Sequence, residues 1–124
     1  MTISLNRIMV FVSNVQACAA FYCDKFGFKP LGEWSDEWAE VDANGCRLAF
    51  HQAYGENGKV VHPTGSSSHP YKIVFKVPDV DQARQSLISK GVQMDEVWRC
   101  AELGNLVLCD GTDLEGHRFQ ICNR

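Results

Sequence analysis

No Cys-x-x-Cys pair occurs among the six cysteines, no apolar run approaches the roughly 18 residues of a membrane span, and Lys and Arg do not outnumber the acidic side chains. Each absence excludes something. Without paired cysteines a zinc-ribbon reading falls away, and Cys18, Cys23, Cys46, Cys100, Cys109 and Cys122, all inside apolar-rich segments, are expected to be buried thiols. A formal charge of -3 argues against nucleic acid or an anionic membrane surface as partner. Met1 leads into Thr2-Ile3-Ser4-Leu5-Asn6-Arg7 with no basic-then-apolar leader, so the expected compartment is the cytoplasm. What remains is 124 residues, 45% hydrophobic, enough for one domain with its own core and no structural need for disulfides or metal.

The chain repeats itself. Arg7-Ile-Met-Val-Phe-Val-Ser-Asn-Val15 aligns with Lys72-Ile-Val-Phe-Lys-Val-Pro-Asp-Val80, and Gly45-Cys-Arg-Leu-Ala-Phe-His51 with Gly116-His-Arg-Phe-Gln-Ile-Cys122. Each first segment reads as a strand leading into a helix capped by Ser13 or Asp79, with Gln16 or Gln82 three positions later. The first helix carries Val15, Cys18, Ala19 and Tyr22 and stops near Gly27; the second carries Val80, Ala83, Leu87 and Ile88 and stops at Gly91. Extended segments are expected at 29–34 and 38–42 in the first half, at 93–99 and 106–110 in the second, followed by a closing strand in each. Both halves are therefore strand, helix, three strands. Module one spans about 1–52 and module two about 71–124, joined by a Gly-, Ser-, Pro- and His-rich surface loop at 53–70.

Asn44-Gly45 sets a register, because both central positions of a two-residue hairpin turn need positive φ. Counting outward places Trp38, Glu40, Asp42, Arg47, Ala49 and His51 on one face of the sheet, and Ala39, Val41, Leu48 and Phe50 on the other, under the helix. The same alternation sends Ile8, Val10, Val12, Ile73, Phe75 and Val77 to the helix side. Arg7, Met9, Phe11, Lys72, Val74 and Lys76 go to the opposite side, with Gln120 in the place of Ala49. Burying Met9, Phe11, Trp38 and Val74 would each contribute roughly 1.5 to 3 kcal/mol, which favours a shared cavity over a solvated face.

These paired modules, together with Phe21-Tyr-Cys-Asp-Lys-Phe-Gly-Phe28 and the ending Asp110-Gly-Thr-Asp-Leu-Glu-Gly-His-Arg-Phe-Gln-Ile121, resemble the vicinal oxygen chelate superfamily, which includes glyoxalase I, bleomycin-resistance proteins and extradiol dioxygenases. The resemblance implies an α+β fold of two βαβββ modules whose sheets form half-barrels, often completed by a second subunit. It also implies that metal ligands, where a metal is used, come from the first and last strands, as His or Glu. Those positions here are Arg7, Lys72, Ala49 and Gln120. Arg and protonated Lys offer only donors and Ala offers nothing, so no metal cofactor is expected.

The leading expectation is a homodimer that binds a small, anionic organic ligand through Arg7, Met9, Phe11, Trp38, Glu40, Arg47, Ala49, His51, Lys72, Val74 and Gln120. A rival for the cations is a purely structural charge network with Glu40 and Asp42. The alternative function is a lyase or isomerase of the glyoxalase type, not an extradiol dioxygenase, with a divalent metal relocated to Glu40 and His51. A third is an interaction module without a pocket. Trp34 and Trp98 occupy similar places in the two halves, at a cavity mouth or a subunit contact.

Overall fold

The structure, a computed structural model, describes residues 1–54 and 71–124. Of the surface loop expected at 53–70, residues 55–70, with His62 and His69, lie outside the described residues, and Ala53 is buried. The chain divides into two compact units, Met1–Pro63 and Thr64–Arg124.

In unit one, strand β1 (Arg7–Val12) leads into helix α1 (Val15–Phe26), and β2 (Lys29–Leu31), β3 (Trp38–Asp42) and β4 (Arg47–Gln52) follow. The sheet order is β1-β4-β3-β2, with β1 parallel to β4 and the other pairs antiparallel. Its hairpin has the expected register, Trp38 opposite His51, Glu40 opposite Ala49 and Asp42 opposite Arg47. Asn44 and Gly45 sit at φ 62° and 137°, and the Ala43 N–H donates to the Cys46 carbonyl at 2.9 Å. Ala39, Val41, Leu48 and Phe50 are buried beneath α1, whose buried stripe is Val15, Cys18, Ala19 and Tyr22; Tyr22 stacks on Phe50 at 5.4 Å.

The helix start departs from expectation. Its cap is Asn14, whose side chain accepts from the Ala17 N–H at 3.1 Å. Ser13 is still held by the strand: the Gln52 amide donates to the Val12 and Ser13 carbonyls, and the Ala53 N–H donates to Val12. Extended pairing thus overrides the local capping preference by one residue.

Unit two repeats the order with β5 (Ile73–Lys76), α2 (Val80–Ser89), β6 (Gln93–Met94), β7 (Trp98–Cys100), a single 3-10 turn (Ala101–Leu103), β8 (Leu106–Thr112) and β9 (Arg118–Cys122). Its sheet order is β5-β9-β8, with β6 and β7 both pairing β8 along its outer side. The single segment expected at 93–99 is two strands, because its pairing with β8 runs from Gln93–Thr112 through Met94–Gly111 and resumes at Trp98–Leu108 one residue out of step. Asp79 caps α2 as expected, accepting from Gln82 N–H at 3.0 Å. Only Val80 and Leu87 of the α2 stripe are buried, and Ile88 is 40% exposed; α2 ends at Ser89.

Of the six cysteines, all free, Cys18, Cys109 and Cys122 are buried; Cys23, Cys46 and Cys100 are partly exposed, which corrects the expectation for those three. Burial pushes the Cys109 and Cys23 thiols up, keeping them in the inert thiol form. Among the described residues, no helix is long and apolar enough to cross a membrane.

Candidate functional site

The face of the unit-one sheet turned away from α1 is built in rows, because residues paired across strands share a side. At one end β1, β4 and β3 contribute Phe11, His51 and Trp38, next come Met9, Ala49 and Glu40, and then Arg7, Arg47 and Asp42. The aromatic row is in contact: His51 meets Phe11 edge-on at 5.5 Å and Trp38 at 6.2 Å, and Tyr54 stands 6.4 Å from His51. The His51 Nδ1 lies 2.8 Å from the Gln52 carbonyl, which fixes Nδ1 as the protonated nitrogen of the neutral ring and leaves Nε2 as its acceptor.

At the other end two guanidiniums converge on one carboxylate. Arg7 Nε and Arg47 Nη1 each lie 3.4 Å from the same oxygen, Glu40 Oε1. Glu40 is buried, and the Trp34 indole N–H fixes its backbone by donating to the Glu40 carbonyl at 3.1 Å. The Arg7 guanidinium also sits over the Trp38 ring, 5.8 Å from its centroid. One negative charge thus faces two positive ones, whose mutual repulsion is roughly 1 to 3 kcal/mol at such spacing and partial exposure. Beside Arg47 an open cleft of about 220 Å³ is lined by Leu5, Asn6, Leu31, Asp42, Gly45, Cys46 and Arg47.

The equivalent face of unit two carries the same plan with different side chains. Val74 pairs with Gln120 and Gln120 with Asp110. Lys72 Nζ donates to Asp110 Oδ2 at 2.8 Å, Gln120 Nε2 donates to Asp110 Oδ1 at 3.0 Å, and Arg118 stands 3.7 Å from Asp110 while also pairing with Asp95. Partial burial alone would raise the Asp110 pKa, but the hydrogen bonds from Lys72 and Gln120 and the nearby Lys72 and Arg118 charges outweigh it and hold the carboxyl below its ordinary 3.8. Where unit one has Phe11, His51 and Trp38, unit two has Lys76, Cys122 and Leu108.

Every residue expected on the faces lies on the strand position foreseen for it, with Lys72 just before β5. Two expectations need correction. Met9, Phe11 and Val74 are not interior, being 42%, 52% and 52% exposed. The charge network considered with Glu40 and Asp42 gathers on Glu40, while the Asp42 Oδ1 accepts from the Asn44 N–H at 2.8 Å and stabilises the turn. Asp110, Arg118 and Asp95 were missed. A signal for two of them was present, since the Gly45 and Gly116 segments align Arg47 with Arg118, and the hairpin then places Asp110 where Glu40 stands. Trp98 is half-exposed on β7, whereas Trp34 serves the Glu40 backbone.

A sequence profile of the Glyoxalase/Bleomycin resistance protein/Dioxygenase superfamily matches residues 4–121. The chain belongs to this superfamily. Solved structures with the same fold include a lactoylglutathione lyase from Agrobacterium tumefaciens (14% identity, TM-score 0.71, covering 96% of this chain and 92% of that one). TioX from Micromonospora sp. ML1 is similar as well (18%, 0.73, 96% and 97%), as is a glyoxalase family protein from Enterococcus faecalis (16%, 0.70, 96% and 96%). No curated protein gave a match. At such identities the likeness of this superfamily member to its neighbours concerns the fold.

The first- and last-strand positions at which relatives in the superfamily place metal ligands hold Arg7, Ala49, Lys72 and Gln120 here, a donor set that does not fit a divalent ion. Among the described residues, no group of three or more His, Cys, Asp and Glu could hold one. Glu40 and His51, the pair considered for a relocated centre, belong to different rows, and Glu40 faces two guanidiniums.

Proposed function

We propose that this superfamily member is a cytoplasmic homodimer that binds a small organic anion without a metal ion, a sequestering function of the bleomycin-resistance or glyoxalase-like kind. The observation that carries the reading is the pair of cations, Arg7 and Arg47, on a single buried carboxylate beside an aromatic row. The wider set of Met9, Phe11, Trp38, Glu40, Ala49, His51, Lys72, Val74 and Gln120 supplies the apolar and polar surface around it. A second copy covering these faces would bury Met9, Phe11 and Val74, whose exposure in one chain supports the dimer. Six unpaired thiols suit a reducing compartment.

The competing lyase or isomerase with a metal on Glu40 and His51 is disfavoured by the cations already beside Glu40. A cation about 5 Å from a divalent ion is repelled by roughly 6 to 7 kcal/mol at an effective dielectric near 20. Elemental analysis of the purified protein, with light scattering and native mass spectrometry, tests the proposal. The expected result is a dimer with no stoichiometric zinc, nickel or manganese and a bound organic anion. Stoichiometric metal and an activity lost on chelation and on Glu40→Gln or His51→Ala would overturn it.

A further inference from the structure

We infer that the oxyanion of an aromatic carboxylate is held between Arg7 and Arg47, with its ring against Trp38 and Met9 of the same unit. This rests on the reading that the chain binds an organic anion, and it adds which cations bind it and what kind of body carries the charge.

Three observations converge. First, Arg7 and Arg47 are paired across β1 and β4, and both reach the same Glu40 oxygen, so their heads are no farther apart than twice 3.4 Å. Each makes one long contact to that oxygen. The terminal nitrogens of Arg7 and the remaining nitrogens of Arg47 have no acceptor among the described residues. Planar guanidiniums with unused forks are suited to bidentate contact with a carboxylate.

Second, the equivalent cations of unit two are already neutralised. Lys72 holds Asp110 at 2.8 Å, and Arg118 is shared between Asp110 and Asp95, which leaves two carboxylates for two cations. Gln120 is engaged by Asp110 as well. The two modules thus carry one architecture, and the guanidiniums of the first are the less fully engaged.

Third, rings border the cations of the first. The Trp38 indole lies under Arg7 and meets His51 edge-on, and Met9 in the adjoining row is 42% exposed. The positions of Phe11, His51 and Trp38 hold Lys76, Cys122 and Leu108 in unit two. An anion seated on Arg7 therefore borders a flat aromatic surface, which favours a ring over a flexible chain as its carrier.

The test is titration of the full-length protein with 2-naphthoate, 2-naphthamide and inorganic phosphate, followed by tryptophan fluorescence and calorimetry, with circular dichroism to verify that each variant is folded. The expected results are saturable quenching by 2-naphthoate and at least tenfold weaker binding of the neutral amide and of phosphate. At least a tenfold loss of 2-naphthoate affinity is expected in Arg7→Gln and in Arg47→Gln. Arg47→Lys, which keeps the charge but not the fork, should also lose affinity, whereas Glu40→Gln should tighten binding several-fold by removing the competing carboxylate. Equal affinity for acid and amide, phosphate binding as tight as 2-naphthoate, or Arg47→Gln binding like the parent would each overturn the inference. If 2-naphthoate affinity depends on Lys72 instead, the inference fails while the broader reading of an anion-binding protein survives. If no anion binds at all, both fail.

Discussion

In the first module, guanidiniums from β1 and β4 share one oxygen of Glu40, each at 3.4 Å; in the second, Asp110 takes a close contact from Lys72 at 2.8 Å, a hydrogen bond from Gln120 at 3.0 Å and a longer contact from Arg118. The plan is the same: a cation at the start of the first strand, a carboxylate on the penultimate strand, and an arginine opening the last. The difference lies in how fully the cations are engaged, because Arg118 has Asp95 as a second acceptor. The repeat has kept positions while redistributing tasks, so that close contacts tie the cations of one sheet and guanidiniums with unused donors stand on the other. A second exchange lies on the helix side. Val41 faces Leu48 in module one, and at the matching places Gly111 faces Phe119 in module two, so a larger ring on one strand is accommodated by a missing side chain on its neighbour.

The largest expected effect breaks that second exchange. A Cβ at Gly111 would lie 2.5 Å from both the Met94 Sδ and the Phe119 Cζ, so Gly111→Val should cost about 3 kcal/mol or prevent folding. Adding Phe119→Leu, which recreates the module-one pair, should recover more than half of the loss in urea denaturation. A double variant no more stable than the single would show that overlap with Phe119 is not the cause.

Next comes the closed charge network. Asp110→Asn should cost roughly 1 to 3 kcal/mol at neutral pH by removing the charged acceptor shared by Lys72 and Gln120. Because the folded-state pKa of Asp110 lies below its ordinary 3.8, its contribution is complete above that value and is lost as pH falls through the folded value. Stability measured from pH 6 down to pH 3 should therefore fall less steeply in Asp110→Asn than in the parent, and parallel curves would remove Asp110 from the account of acid sensitivity.

The smallest effects concern the helix starts, where the modules differ least. Asn14→Ala and Asp79→Ala should each cost about 1 kcal/mol, since each side chain caps its helix. Ser13→Ala should cost less than Asn14→Ala, because the cap bond belongs to Asn14. A larger loss at Ser13 than at Asn14 would reverse the cap assignment made from the geometry.

Much of this was legible from residues alone. Asn44-Gly45 selects one turn, the turn selects one register, and a period of two then assigns every side chain from Trp38 to His51 to its face. The repeat carried that assignment to Lys72, Val74 and Gln120. The cap at Asn14 was not legible, because Ser and Asn both satisfy the local preference and the choice rests on bonds from Gln52 and Ala53, beyond the hairpin, to the Val12 and Ser13 carbonyls. The exposure of Met9, Phe11 and Val74 was not legible either. Their apolar character favours burial in general, but one chain offers no cover for them, and much of any folded surface is apolar. Nor was the split between β6 and β7, which is a one-residue shift of register against β8.

The amino-acid order by itself determined the two-module plan, the helix stripe of the first module and the face on which each candidate side chain lies, because these follow from turn chemistry and from periodicities of a few residues. Which cation meets which carboxylate was decided only by tertiary structure. Arg7 reaches Glu40, and Lys72 reaches Asp110, across strands distant in sequence, where register and side-chain reach decide the pairing and neighbours along the chain do not.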